Sequence, residues 1–253
     1  MERNITTEAI VLTSRRWGEL HRLVTLLSPT LGIISAVNYG GRKGKLASAV
    51  KPFTNGKYYL YYNNIRKEYS IRDAQISSYG DFISCDILNL YVALPMVELA
   101  MRVEGGDWAK LYALLKEHLN LFETQKDSAK RIFIQYGWRM IELMGLQCDL
   151  SQCPICLKNY QDDETLYFNY NMHTVCCLSC SDGQPKIYEG MLPPGARRYL
   201  SFTEKLSIQE AVKIELSATA SERLFRYVVS YLTTILGSPL KSLNKSVLET
   251  KGF

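Results

Sequence analysis

The stretch Lys57-Tyr58-Tyr59-Leu60-Tyr61-Tyr62, then Asn63-Asn64-Ile65-Arg66, then Lys67-Glu68-Tyr69-Ser70-Ile71-Arg72-Asp73-Ala74 decides the fold of the amino-terminal third. Tyr, Ile and Leu on either side of polar turn residues predict strands over residues 57–62 and 67–74. Upstream, residues 8–13, 22–27 and 32–38 have the same richness in Ile, Val, Tyr and Thr, again with turn residues between them. Five short strands in roughly 75 residues make a small barrel, and an oligonucleotide-binding (OB) barrel has this strand count and offers an open face and loops to nucleic acid. Pattern alone does not separate it from another small barrel.

Charge follows the same boundary. Residues 1–80 carry twelve Lys and Arg against five Asp and Glu, an excess of seven in a chain whose net charge is +5. Residues 81–150 are net acidic, and residues 151–253 are nearly balanced. A positive field gathered in one third of the chain points to a polyanionic partner, of which nucleic acid is the commonest. The candidate contacts are Arg15, Arg16 and Arg22 around the first turn, and Arg42, Lys43 and Lys45 in the glycine-rich loop after the third strand, with Lys51 just beyond. Glycine lets such a loop follow a phosphate backbone, and the cations displace its counterions. Tyr58, Tyr59, Tyr61 and Tyr62 alternate on one strand, so one pair can stack on unpaired bases while the other fills the barrel. The expected stacking residues are Tyr59 and Tyr61; Trp17 reads equally as a stacking or a core residue. Loop 40–45 lacks the spacing and the Lys-Ser/Thr ending of a phosphate-cradling ATPase loop.

After Gly80 the period changes to that of helices. Leu88, Tyr91, Val92, Met96 and Leu99 form one stripe, Phe133, Tyr136, Met140 and Met144 a second, and Leu224, Val228, Tyr231, Leu232 and Ile235 a third. These stripes predict packed helices rather than a cofactor box or membrane surface. The longest apolar stretches, residues 31–37 and 91–97, are too short to cross a bilayer. With no apolar leader ahead of a small-residue cleavage site, a cytoplasmic protein is expected.

The helical region is interrupted by Cys153-x2-Cys156 and Cys177-x2-Cys180. Each turn directs two thiolates at one point, and two turns complete the closed tetrahedral shell of a structural zinc. No ligand position is left open for chemistry. Cys177 is favoured over its neighbour Cys176 because it repeats the spacing of the first pair, while His173 competes only as a nitrogen ligand. Disulfides, a redox dithiol and buried free thiols are the other readings of these cysteines; disulfides would need an oxidising compartment. Since residues 151–182 lack apolar periodicity, metal is expected to organise them. Nucleophile motifs, metalloprotease motifs and paired carboxylates are missing, so an enzyme is not expected.

The residues also carry a family resemblance. Thr7-Glu8-Ala9-Ile10-Val11-Leu12, Gly18-Glu19-Leu20-His21-Arg22-Leu23-Val24-Thr25-Leu26-Leu27, Gly32-Ile33-Ile34-Ser35-Ala36-Val37, Gly40-Gly41-Arg42, Lys51-Pro52-Phe53-Thr54 and the segment from Tyr167-Phe168 to Cys177-Leu178-Ser179-Cys180 resemble the bacterial recombination mediator family RecO. Where that family commonly has a glycine pair shortly before its third cysteine, this chain has His173-Thr174, and the doubled Cys176-Cys177 also departs from the pattern. The resemblance implies an α+β multidomain protein. A five-stranded OB-fold barrel would occupy residues 1–80, a mainly helical domain residues 81–150 and 183–253, and an inserted zinc module residues 151–182. It implies binding of single- and double-stranded DNA, annealing of complementary strands and, with RecR, loading of RecA onto strands coated by single-stranded-DNA-binding protein, in the bacterial cytoplasm at the nucleoid. It further implies that the helical domain contacts the acidic, hydrophobic tail of single-stranded-DNA-binding protein, for which Arg131, Arg139, Arg197 and Arg198 are candidate flanking cations. The competing readings are a zinc-dependent adaptor for RNA or protein and a metal or thiol enzyme.

Overall fold

The computed structural model describes residues 3–40, 44–103, 105–125, 127–169, 171–181 and 191–243. Contacts divide the chain into two compact units, Met1–Glu123 and Thr124–Phe253.

The first unit begins with strands β1 (Asn4–Trp17), β2 (His21–Ser28), β3 (Gly32–Asn38), β4 (Asn55–Asn63) and β5 (Glu68–Ser78). They close into a barrel in the order β1-β2-β3-β5-β4, with β4 returning to β1 and β3 running parallel to β5. Closure leaves no free edge strand, although β3 and β5 meet over only two residue pairs, Ala36 with Tyr69 and Val37 with Ser70. Alternation places Ala9 and Val11 of β1, Val24 and Leu26 of β2, Ile34 and Ala36 of β3, Tyr58 and Leu60 of β4 and Ile71 of β5 in one buried cluster. The other face of β1 is covered as well: Ile10 and Leu12 are buried, and a helix of the same unit packs against this strand.

That helix is α2 (Ile87–Arg102), preceded by the short α1 (Asp81–Ser84) and followed by α3 (Trp108–Thr124). Asp86 starts α2 by accepting the N–H groups of Leu88 and Asn89 at 2.8 and 3.2 Å, satisfying two donors that a helix start leaves open. Val92, Met96 and Leu99 are buried as their spacing predicts, while Leu88 of the same stripe is exposed. Trp108 lies on Gly32, where a β-carbon would come within 2.8 Å of the indole, so glycine at the start of β3 is a condition for seating α3.

The second unit is built on α4 (Ala129–Leu143) and α7 (Ala218–Leu236). Gly137 lets the two approach closely, since a β-carbon there would meet Val228 Cγ1 at 2.6 Å, and Phe133 packs on Phe225 with centroids 5.1 Å apart. Between them in sequence lie a small antiparallel sheet of β6 (Leu166–Asn169), β7 (Thr174–Cys176) and β8 (Met191–Leu192), then α5 (Pro194–Thr203) and α6 (Ile208–Lys213). Proline at the first position of α5 and a Ser207–Glu210 capping box on α6 mark both starts. No helix among the described residues is long and apolar enough to cross a membrane.

Candidate nucleic-acid interface and candidate metal centre

The tyrosines of β4 divide as strand geometry requires. Tyr58 is fully buried and donates its hydroxyl to the Ala49 carbonyl at 2.7 Å, and Tyr62 packs on Tyr69 with centroids 4.8 Å apart. Tyr59 and Tyr61 alternate with these and are half-buried. The Arg72 guanidinium of β5 lies 4.9 Å from the Tyr61 ring centroid, so this face already holds a cation against an aromatic ring. Arg72 was not among the sequence candidates. The inward pattern of β5 shifts at a bulge, from Ile71 to Ala74, which leaves Arg72 and Asp73 both exposed.

Arg15 and Arg16 are exposed beside the turn that joins β1 to β2, next to Trp17, which is 49% exposed and therefore not a core residue. Arg16 pairs in register with Arg22. Arg22 is half-buried and committed to Ser14, donating Nε to its hydroxyl at 2.7 Å and Nη2 to its carbonyl at 3.0 Å. Two cations placed opposite one another on a strand pair oppose that pairing. After β3, the Gly40 N–H donates to His21 Nδ1 at 3.1 Å, His21 meets the Tyr39 ring edge-on, and the Tyr39 hydroxyl donates to Glu68 at 2.8 Å. The carboxylate that accepts this proton pushes the Tyr39 phenol above its ordinary range. Arg42 and Lys43 lie outside the described residues. Lys45 makes a loose, exposed ion pair with Asp73 at 3.8 Å, and Lys51 is exposed.

In the second unit the Sγ atoms of Cys153, Cys156, Cys177 and Cys180 all lie within 4.8 Å of one another. All seven cysteines are free thiols, and the 3.7 Å from Cys156 to Cys177 is far beyond a sulfur–sulfur bond. Zinc–sulfur bonds of about 2.3 Å in a tetrahedron require sulfur separations of about 3.8 Å, so the cluster has the dimensions of a four-thiolate cation site. The backbone makes the first knuckle by returning the Leu157 N–H to the Cys153 carbonyl at 2.9 Å, with Leu157 at φ 60°. The second is a single 3₁₀ turn over Leu178–Cys180, closed by the Cys180 N–H on the Cys177 carbonyl at 3.1 Å.

Electrostatics within the cluster call for a cation. Burial raises the Cys153 thiol, but surrounding backbone N–H groups outweigh burial and hold it down at about 6. The Ser179 hydroxyl lowers Cys177. The neighbouring Cys177 sulfur pushes the Cys180 thiol up to about 12. Four thiolates this close repel one another, and a divalent cation at their centre removes that penalty.

Cys176 faces elsewhere. As the last residue of β7 it alternates away from Cys177 and directs its sulfur to the Tyr167 carbonyl at 3.4 Å. His173 is exposed in the turn between β6 and β7, outside the cluster. Of the four arginines considered as flanking cations, three are bound to backbone carbonyls. Arg131 donates to Val212, Arg139 to Thr203 and Leu206, and Arg197 to Gln161; Arg198 is exposed.

The chain matches two family models in succession, "Recombination protein O N terminal" over residues 1–79 and "Recombination protein O C terminal" over residues 85–244. It is 23% identical to "DNA repair protein RecO" of Thermoanaerobacter sp. (strain X514), over 95% of this chain and 96% of that protein. It is 24% identical to the protein of the same name from Caldanaerobacter subterraneus subsp. tengcongensis, with the same coverage of both chains. A third, from Synechocystis sp., is 31% identical over 49% of this chain and 47% of the relative.

Proposed function

The chain belongs to the recombination protein O family of DNA repair proteins, and from that membership we propose that it binds single- and double-stranded DNA through its barrel and anneals complementary strands. With RecR it would then help load RecA onto strands coated by single-stranded-DNA-binding protein. The observation that carries the reading is the outer face of β4 and β5. Tyr59 and Tyr61 turn away from the core, Arg72 stacks on Tyr61, and the same barrel exposes Arg15, Arg16, Lys45 and Lys51. Aromatic faces accept any base, and cations take up phosphate charge without reading sequence. Such a surface suits a protein that must act on every sequence.

Annealing needs no nucleotide hydrolysis. A cationic surface that holds two strands lowers their mutual repulsion and raises their local concentration, and base pairing supplies the free energy. Arg16, exposed beside the turn between β1 and β2, fits this role, whereas Arg22 is held against Ser14. No group transfer is required, so the protein acts as a mediator and not as an enzyme.

Cys153, Cys156, Cys177 and Cys180 would hold one structural zinc, with Cys176, Cys148 and His173 outside the shell. Zinc bound there would supply folding free energy to a segment in which Cys153, Cys176 and Cys177 form one buried cluster with Tyr160 and Cys180 against them.

The test is the pairing of two complementary fluorescent oligonucleotides, one precoated with single-stranded-DNA-binding protein, without ATP and across a salt series. Acceleration that fades as salt rises is expected. Binding without acceleration at any salt would overturn the annealing reading and favour an adaptor for RNA or protein.

A further inference from the structure

We propose that Arg197 is the counter-charge of the four-cysteine centre and the residue that positions its first knuckle. Arg197 sits on α5, only 6% exposed. A guanidinium stays charged at every physiological pH, and a buried charge is stable only when another charge or a full set of hydrogen bonds compensates it. Among the described residues no carboxylate lies within ion-pair distance of it. Nη2 donates to the Gln161 carbonyl at 2.5 Å, whereas Nη1 is buried without a hydrogen-bond partner among the described residues. One neutral acceptor does not balance a buried cation.

What lies beyond the guanidinium does. Its carbon is 5.9 Å from the centroid of Tyr160, and Tyr160 packs directly against the cluster of Cys153, Cys176 and Cys177. Four thiolates around one divalent cation would keep a net charge of about −2, and Cys153 and Cys177 are buried while Cys156 is exposed, so that charge is screened least on the side of the buried pair. Tyr160 is thus a ring that both Arg197 and the cysteine cluster contact, and zinc bound by the four sulfurs would place a net negative charge beside it. The bond from Arg197 to Gln161 also fixes the strand of chain leaving the first knuckle, where the Cys153 N–H is held by the Lys158 carbonyl at 2.9 Å and the Tyr160 N–H by Ser151 at 2.9 Å. The same side chain therefore balances the charge of the centre and holds the loop that carries two of its sulfurs.

The inference rests on the metal reading above, and the experiment keeps the two apart. Zinc content is measured on the wild-type chain, and release to a chromogenic chelator is timed for wild type, Arg197→Lys and Arg197→Gln. The cobalt-substituted forms report the sulfur-to-metal absorption band. Arg197→Gln keeps a donor for Gln161 but loses the charge; it is expected to release metal about tenfold faster with a shifted cobalt band, the size of effect outer residues have on metal sites. Arg197→Lys is expected to stay within about threefold of wild type, because it keeps the charge. Equal release from wild type and Arg197→Gln, or equally fast release from both variants, would overturn the counter-charge role. If Arg197→Gln does not fold, Arg197→Lys decides alone, and a tenfold loss there overturns the proposal. Wild type without stoichiometric zinc would instead remove the metal reading, and this inference with it.

Discussion

The Tyr58 hydroxyl donates to the Ala49 carbonyl at 2.7 Å inside the barrel, tying the middle strand of the aromatic face to the segment that follows the basic loop. Val50 of that segment belongs to the barrel core and the partly buried Leu46 packs against it, so the loop's far end is anchored by packing as well as by this bond. Tyr58→Phe keeps the ring and leaves the carbonyl without its partner, which is expected to cost roughly 1 to 3 kcal/mol. Urea unfolding should show a lower midpoint at unchanged slope. An unchanged midpoint would mean that the loop is anchored by Val50 and Leu46 alone.

Tyr59 and Tyr61 differ from Tyr58 in facing outward, and their substitution should read out in binding rather than in stability. Tyr59→Ala and Tyr61→Ala are each expected to weaken single-strand binding by roughly 1 to 3 kcal/mol at fixed salt, the usual worth of one stacked base. Fluorescence anisotropy with a labelled oligothymidine measures this. Two variants that bind like wild type would move the interface off this face of the barrel.

The exposed cations should act through salt dependence. Replacing Arg15, Arg16, Lys45 and Lys51 together by alanine is expected to flatten the slope of log affinity against log salt by up to about 0.7 per lost contact for a single strand, without changing sequence preference. Lys45 already spends part of its time against Asp73, so its share is expected to be the smallest. A preserved slope would exclude these four positions as phosphate contacts.

The division of β4 into two faces was readable before any coordinates. Alternating burial gives Tyr58 and Leu60 one face of β4 and Tyr59 and Tyr61 the other, and that period is written directly in residue types. Strand ends were not readable. Residues 8–13 carry the apolar signal, yet β1 extends to Asn4 and Trp17 because Asn4 pairs with Tyr61 and Arg16 with Arg22 through backbone bonds that polar residues make equally well. Alternation alone exposes Arg72 after the inward Ile71; what escaped is its contact with Tyr61, which depends on the register of β4 on β5 and leaves no compositional mark. The arginines of the second unit escaped for another reason. Arg131, Arg139 and Arg197 look like solvated cations until tertiary packing brings the carbonyls of Val212, Thr203, Leu206 and Gln161 within reach.

The doubled cysteine, of which spacing favours Cys177, becomes a clean experiment. Cys177→Ser removes a member of the cluster, whereas Cys176→Ser alters a sulfur that faces the Tyr167 carbonyl. Expected outcomes are loss of bound zinc and protease sensitivity across residues 151–181 for Cys177→Ser, and near-normal zinc content for Cys176→Ser. The reverse pattern would reassign the fourth ligand.

Glu222 of α7 supplies a pH dependence in the second unit. Its carboxylate accepts from Lys130 Nζ at 2.7 Å and from Arg226 Nε at 2.5 Å, joining α4 to α7. Burial alone would raise this acid, but the two cations outweigh burial and hold it below its ordinary 4.5. The folded chain therefore binds this proton less readily than the unfolded chain does. The stabilisation is complete above about pH 4.5 and fades as pH falls through the lower folded value. Glu222→Gln should accordingly be less stable than wild type at pH 7, by about 1 kcal/mol for so solvent-touched a pair, and the gap should narrow steadily between pH 5 and 3. Acid-induced metal release affects both proteins alike, so the difference between their unfolding midpoints isolates Glu222. A gap that stayed constant across that range would mean that the ion pairs contribute nothing and that the substitution acts through packing.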